Sequence, residues 1–175
     1  MKRCVAVPGD TFFIENGIFK IQGLTDTLGY YQKQLLLSRT SDETFGKEIF
    51  NCFPYDTTYH WSIKHFGPLY IPGKGDILEL NRQNIALYEP LIQYETHKTI
   101  TLKEDQIFLD RELLSAYSFT QNYYFMAGDY VLGSQDSRYW GLLPEDFVVG
   151  KVALIWKSEN PETGRYRWKR FLIKP

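Results

Sequence analysis

The residue types in this chain that could do chemistry concentrate in two short segments at opposite ends of the sequence. The first, Lys2-Arg3-Cys4-Val5-Ala6-Val7-Pro8-Gly9-Asp10, alternates like a strand from 2 to 7 and then turns through Pro-Gly-Asp. Alternation puts Lys2, Cys4 and Ala6 on one face and Arg3, Val5 and Val7 on the other, so a lysine shares its face with two small side chains. The second, Gly128-Asp129-Tyr130-Val131-Leu132-Gly133-Ser134-Gln135-Asp136-Ser137-Arg138-Tyr139-Trp140-Gly141, is a glycine-punctuated loop crowded with hydroxyls. It also carries two opposite charges, Asp136 and Arg138, and a Tyr-Trp that can pin it to a core. Taken singly, these residues have ordinary readings. A lysine at a strand edge is a solvated charge, Ser134 and Ser137 shape a loop, and Asp136 with Arg138 make a surface pair worth at most about 1 kcal/mol. His60, His65 and His97 invite a Ser-His-Asp reading, but no Gly-x-Ser-x-Gly elbow accompanies them, so they read as surface or core histidines.

Together the two segments resemble the two strongest motifs of the type I signal peptidases, membrane-anchored serine proteases that use a Ser/Lys dyad. In that family a lysine-arginine pair precedes a short apolar stretch and Leu-Pro-Gly-Asp; here Val7 stands in place of the leucine. The second family motif is Gly-Asp-Asn-Arg-x-Asn-Ser-x-Asp-Ser-Arg, then two aromatics and glycine. This chain keeps Gly128-Asp129, Ser134, Asp136-Ser137-Arg138 and Tyr139-Trp140-Gly141, and replaces a polar run with Tyr130, Val131, Leu132 and Gly133. Between the motifs, Phe53-Pro54, Trp61, Phe66-Gly67-Pro68-Leu69-Tyr70-Ile71-Pro72 and Gly75-Asp76 are similar to the Bacteroidetes-type version, so the resemblance covers nearly the whole chain.

The resemblance implies roles residue by residue. Lys2 falls on the general base, which takes the proton of a serine nucleophile and later helps deliver one to the leaving amine. Such an amine works in its neutral form, which asks for apolar surroundings, and Cys4, Ala6 and nearby aromatics are the candidates to supply them. Ser134 falls on the serine that orients the lysine. Asp136 and Arg138 fall on a charge pair bracing the loop beneath the site, and Arg3 on a structural arginine expected to pair with Asp129. The family nucleophile lies in a Ser-Met-x-Pro motif just after a membrane anchor and before the lysine strand. Only Met1 precedes Lys2 here, so the expected nucleophile is a serine outside this sequence, together with much of the oxyanion hole and groove.

The activity implied is removal of signal peptides from secretory precursors after a small residue in an Ala-x-Ala-like site. The peptide would bind as an added strand and be cut through an acyl-enzyme. The catalytic region would face the periplasm, held to the inner membrane by an anchor outside this sequence, with no metal or organic cofactor. The alternative is an inactive signal-peptidase-like module that keeps the β-fold to bind a peptide or partner. A self-cleaving repressor of the same dyad fold is disfavoured because no segment reads as DNA-binding.

The elements that must position these residues read as mainly β: an antiparallel sheet core with an inserted β-rich subdomain and one short helix. Residues 11–14 and 18–21 flank Glu15-Asn16-Gly17 as a hairpin. Residues 24–52 are polar and mixed, with one strand expected at 34–38. Residues 65–75 read as a Pro/Gly-punctuated turn before a strand at 76–80. Asn81 is placed as the N-cap of a helix with Ile85, Tyr88 and Ile92 on one side, kinked or shortened by Pro90. Strands follow at 98–102, 106–109, 113–119 and 123–126, and residues 148–156 and 166–173 make a last hairpin around Asn160-Pro161-Glu162-Thr163-Gly164. By similarity, residues 1–22 and 121–175 would build the catalytic β-subdomain and residues 23–120 the inserted one.

Composition agrees with this. At 175 residues the chain can bury one good core or two small ones, and aromatics at 17% favour strands. A net charge of −1 leaves no footprint for nucleic acid. No apolar run reaches the roughly 18 residues that span a bilayer, and the N-terminus is not a signal peptide. The two cysteines, Cys4 and Cys52, permit one disulfide without specifying it and form no zinc pattern; the expectation is free, mostly buried thiols.

Overall fold

Asn16 and Gly17 both adopt positive φ, 47° and 78°, the left-handed pair that a two-residue hairpin turn requires. That turn registers its two strands from Phe12↔Ile21 to Glu15↔Ile18. The computed structural model describes residues 2–160 and 163–174, which fall into two compact units, 1–145 and 146–175.

The first unit begins with β1 (Arg3–Ala6), β2 (Thr11–Glu15), β3 (Ile18–Ile21), α1 (Tyr31–Arg39), β4 (Phe66–Tyr70) and β5 (Ile77–Glu79). It continues with α2 (Ile85–Thr96), β6 (Ile100–Lys103), β7 (Gln106–Leu109), β8 (Glu112–Leu113) and β9 (Ala116–Ser118). It closes with β10 (Tyr123–Ala127), α3 (Ser137–Trp140) and β11 (Leu143–Pro144). The strands form four antiparallel sheets with orders β1-β10-β11, β3-β2-β4, β5-β9 and β6-β7-β8. The fold is mainly antiparallel β, as the sequence implies.

Aromatic packing joins the first two sheets. Phe12 of β2 stacks on Phe125 of β10 with ring centroids 4.1 Å apart, and Phe66 of β4 meets Phe125 edge-on at 5.6 Å. All three rings are buried. Each contributes about 1.5–3 kcal/mol by leaving water, and these contacts hold β10 at a fixed depth.

The structure departs from the sequence reading in several places. The strand expected at 34–38 is the middle of α1, which buries Gln34 and Leu37, three residues apart. The Leu35-Leu36-Leu37 run suits either state, and the buried Gln34 decides it. Its amide oxygen accepts from the Phe19 N–H at 2.9 Å and its amide nitrogen donates to the Leu28 carbonyl, covering the outer edge of β3. Helix therefore exceeds the single element expected.

The segment read as a turn at 65–75 contains β4, an edge strand that tolerates Pro68 because one side of its backbone lies outside the sheet. Asn81 caps the turn before α2, accepting from the N–H groups of Gln83 and Asn84, and the helix starts one turn later. Pro90 neither ends nor shortens it. The proline is exposed, while Ile85, Leu87, Tyr88, Leu91 and Ile92 are buried on both sides of it, so packing outweighs one lost hydrogen bond. The strand expected over 113–119 is divided into β8 and β9.

Among the described residues of the second unit, the expected hairpin shows as two antiparallel bridges, Ile155↔Ile173 and Glu159↔Tyr166. Pro161 and Glu162 of its turn lie outside the described residues.

Candidate active site

Register brings the two motifs together. Arg3 pairs with Ala127 and Cys4 with Met126 across β1 and β10, so the chain direction sets Lys2 beside Gly128, just beyond the end of the ladder. Between Cys4 and Ala6 the register shifts by a bulge, and Val5 and Ala6 are both buried. The simple alternation expected for residues 2–7 therefore fails. A bulge puts two residues opposite one and turns consecutive side chains inward.

The following Pro-Gly-Asp turn is held firmly. The Asp10 carboxylate accepts from the Val7 N–H at 2.8 Å, Gly9 donates to the Ile71 carbonyl at 2.9 Å, and Ile71 donates to the Asp10 carbonyl at 2.8 Å. Asp76 braces the adjoining turn, accepting from the Tyr70 hydroxyl and the Gly73 N–H, each at 2.7 Å. The Tyr70 hydroxyl, then the Gly73 N–H, holds the Asp76 carboxyl below its ordinary range. Burial, then the bond to Asp76, pushes the Tyr70 phenol up to about 12.

After β10 the chain leaves at Gly128, loops through Gly133 and returns at Ser134. The position that a Cβ on Gly128 would occupy lies 1.8 Å from Ser134 Oγ and 3.3 Å from Lys2 Nζ. The hydroxyl and the amine thus converge on space that exists only because residue 128 has no side chain. Lys2 itself is half-buried. Gly128 is the residue that sequence reasoning passed over; its signal was the Gly-Asp that opens the second motif.

Two arginine-aspartate pairs frame this point, and they differ in kind. Arg3 forks onto Asp129, Nε to Oδ1 and Nη2 to Oδ2, both at 3.0 Å, with both side chains half-exposed. That bond raises the guanidinium above its ordinary value. Asp136 and Arg138 are fully buried. Arg138 Nε donates to Asp136 Oδ1 at 2.8 Å and Nη2 to Oδ2 at 2.9 Å, and Nη2 also reaches the Val131 carbonyl at 2.7 Å. Asp136 further accepts from the Gly128 N–H at 3.0 Å and caps α3 through the Arg138 N–H at 3.3 Å.

One carboxylate thus ties the exit of the loop to its return. Arg138 Nη1 is buried without a hydrogen-bond partner, and the guanidinium carbon lies 5.8 Å from the Phe19 ring centroid and 5.6 Å from that of Tyr139, whose π-faces offset part of that cost. Ser137 Oγ accepts from the Met126 N–H at 2.9 Å, filling the side of β10 that β11 does not reach. Sequence reasoning placed Ser137 in the motif without this partner.

The atypical loop residues divide. Val131 is buried, Leu132 packs partly against the core, and Tyr130 is 60% exposed. Both cysteines are free, but Cys4 is exposed, contrary to expectation, because the bulge turns Val5 and Ala6 inward in its place. Crowding around its sulfur raises the thiol above its ordinary value. Cys52 is buried, which pushes its thiol up to about 11, moderated by the Arg138 cation. Among the described residues no group of three or more His, Cys, Asp or Glu side chains could hold a metal ion, and no helix is long and apolar enough to cross a membrane.

The strand-loop site and the mainly antiparallel scaffold match a known family. The family described as "Signal peptidase, peptidase S26" matches residues 1–157, and this chain belongs to it. It is 54% identical to a signal peptidase I of Buchnera aphidicola subsp. Baizongia pistaciae, over 95% of this chain and 52% of the relative. It is 42% identical to the Haemophilus influenzae signal peptidase I over 27% of this chain and 15% of that protein. A second Buchnera relative, from subsp. Schizaphis graminum, is 53% identical over 29% of this chain and 17% of its own length. The chain spans about half the length, or less, of these curated relatives. No solved structure matches it.

Proposed function

We propose that residues 1–175 carry the lysine half of a Ser/Lys endopeptidase that removes signal peptides from secretory precursors. Lys2 is the general base, Ser134 orients its amine, and Arg3, Asp129, Asp136 and Arg138 hold the two motifs in register. The observation that supports this reading best is the convergence of Lys2 Nζ and Ser134 Oγ on the open face of Gly128. A neutral amine held beside a hydroxyl acceptor keeps its lone pair aimed, and can take the proton of an attacking serine.

That serine lies outside residues 1–175, as does the membrane anchor that would present the site to the periplasmic side. The precursor would enter as an extended strand and be cut after a small residue. The catalytic subdomain comprises residues 1–22 and 121–175, and residues 23–120 are an insertion.

The test is cleavage of a purified precursor by the full-length protein, with the new N-terminus read by mass spectrometry. One cut after a small residue of an Ala-x-Ala-like site is expected. Binding of the precursor without cleavage would instead identify an inactive peptide-binding module.

A further inference from the structure

The loop that carries Ser134 departs from the family motif at two positions that answer each other. Tyr130 and Gly133 both stand where the motif has asparagine, so one position has gained a ring and the other has lost its side chain. The two are in contact. The position that a Cβ on Gly133 would occupy lies 2.8 Å from Tyr130 Cδ1 and 3.5 Å from Cζ, and closer still to Cε1. One side of the ring therefore rests in the space that a side chain at residue 133 would fill. The Gly133 N–H also donates to the Tyr130 carbonyl at 3.1 Å, closing residues 130–133 as a turn.

Glycine serves here for room and not for backbone freedom. Gly133 does not adopt a positive φ, so an alanine fits its backbone and meets only the ring. Tyr130 stays 60% exposed, and a ring left largely in water adds little to the stability of the fold. What the contact fixes is the residue that precedes Ser134. On the far side of the loop, Ser134 Oγ lies over the open face of Gly128, toward Lys2 Nζ. The hydroxyl is thus set by two close approaches to glycine, one under its own side chain and one at the residue before it.

We propose that Tyr130 is a positioning residue for the dyad: its ring, seated on Gly133, fixes the backbone that aims Ser134 at the Lys2 amine. This rests on the peptidase reading given above. The contact runs through Cδ1, Cε1 and Cζ, so the ring is what the site requires and the phenol oxygen is dispensable. An exposed aromatic at this place could instead touch the precursor, and kinetics separate the two roles. A precursor contact, once lost, raises KM; a lost positioning contact lowers kcat and leaves KM unaltered.

The test is precursor cleavage by the full-length protein over a range of precursor concentrations. Tyr130→Ala should lower kcat by about 10- to 100-fold, with KM and melting temperature unaltered, and Tyr130→Phe should retain the rate. Gly133→Ala alone should also lower kcat, because its methyl displaces the ring. Added to Tyr130→Ala it should cost nothing more, because the ring it would meet is gone. A second measurement needs no activity. In the NMR spectrum of the 175-residue chain the Tyr130 ring current should displace the Gly133 α-proton resonances, and Tyr130→Ala should remove that displacement.

An unaltered kcat in Tyr130→Ala, a raised KM at unaltered kcat, additive losses in the double variant or an unmoved Gly133 resonance would each overturn the proposal. No cleavage by the unaltered full-length protein would overturn the peptidase reading itself, and this role with it.

Discussion

Asp136 and Arg138 form a fully buried ion pair, 2.8 Å between Arg138 Nε and Asp136 Oδ1, and the same carboxylate accepts the Gly128 N–H at 3.0 Å. Removing one partner leaves the other charge buried and uncompensated. Arg138→Met is therefore expected to lower unfolding stability by about 3–5 kcal/mol, measured by urea denaturation. A loss under about 1 kcal/mol, the value of a surface pair, would show that the loop does not depend on this anchor.

Gly128 has a different role. A methyl at this residue would stand 1.8 Å from Ser134 Oγ and 2.5 Å from its Cβ, so Gly128→Ala must push the hydroxyl away from the lysine. Misplacement of about 1 Å at a catalytic group costs about 100-fold in rate. Precursor cleavage by full-length Gly128→Ala protein should fall by that order, and an unaltered rate would disconnect Ser134 from catalysis.

The apolar loop should act through packing at Val131 and not at Tyr130. Val131 is buried and its carbonyl holds Arg138, whereas Tyr130 is mostly exposed. Val131→Asn is expected to cost about 1–3 kcal/mol as an unsatisfied buried polar group, while Tyr130→Ala leaves the melting temperature nearly unchanged. Precursor affinity of the folded full-length variants should stay as it was. Lost affinity at an unaltered melting temperature would make the loop a contact surface.

Thiol chemistry separates the two cysteines. Iodoacetamide should modify Cys4 in the native protein, while Cys52 should react only after unfolding. Because burial raises the folded Cys52 thiol to about 11, the unfolded chain ionises first as pH rises past about 8.5. The fold therefore loses stability from there up to about pH 11. Cys52→Ala should flatten that alkaline limb in melting temperatures taken across the range; an identical limb in both proteins would exclude Cys52 as its source. At the acid end the sign reverses for Asp76, whose depressed carboxyl contributes stability above its unfolded value of about 3.9. That contribution is lost as pH falls through the lower folded value.

Local chemistry explains which parts of this arrangement could be read beforehand. Asn16-Gly17 announces its hairpin because few other residues accept two positive φ values. The Arg3–Asp129 fork was legible only through the family resemblance, which sets the two motifs side by side. α1 was not legible, because three leucines in a row satisfy either period and the deciding contact, Gln34 to the Phe19 N–H, is remote in sequence. The bulge in β1 was equally hidden, since its cause is the pairing with β10. Asp136 and Arg138 by spacing alone resemble a surface pair, and their burial follows from Phe19, Val131 and Tyr139 packing around them.

The central claim is that Lys2 is the base of the dyad, and replacing it in the full-length protein tests this most directly. Lys2→Ala protein with an unchanged melting temperature should lose precursor cleavage by about 10²–10⁴-fold, measured under single-turnover conditions. Cleavage within a few-fold of the unaltered enzyme would contradict the account and remove Lys2 from the mechanism.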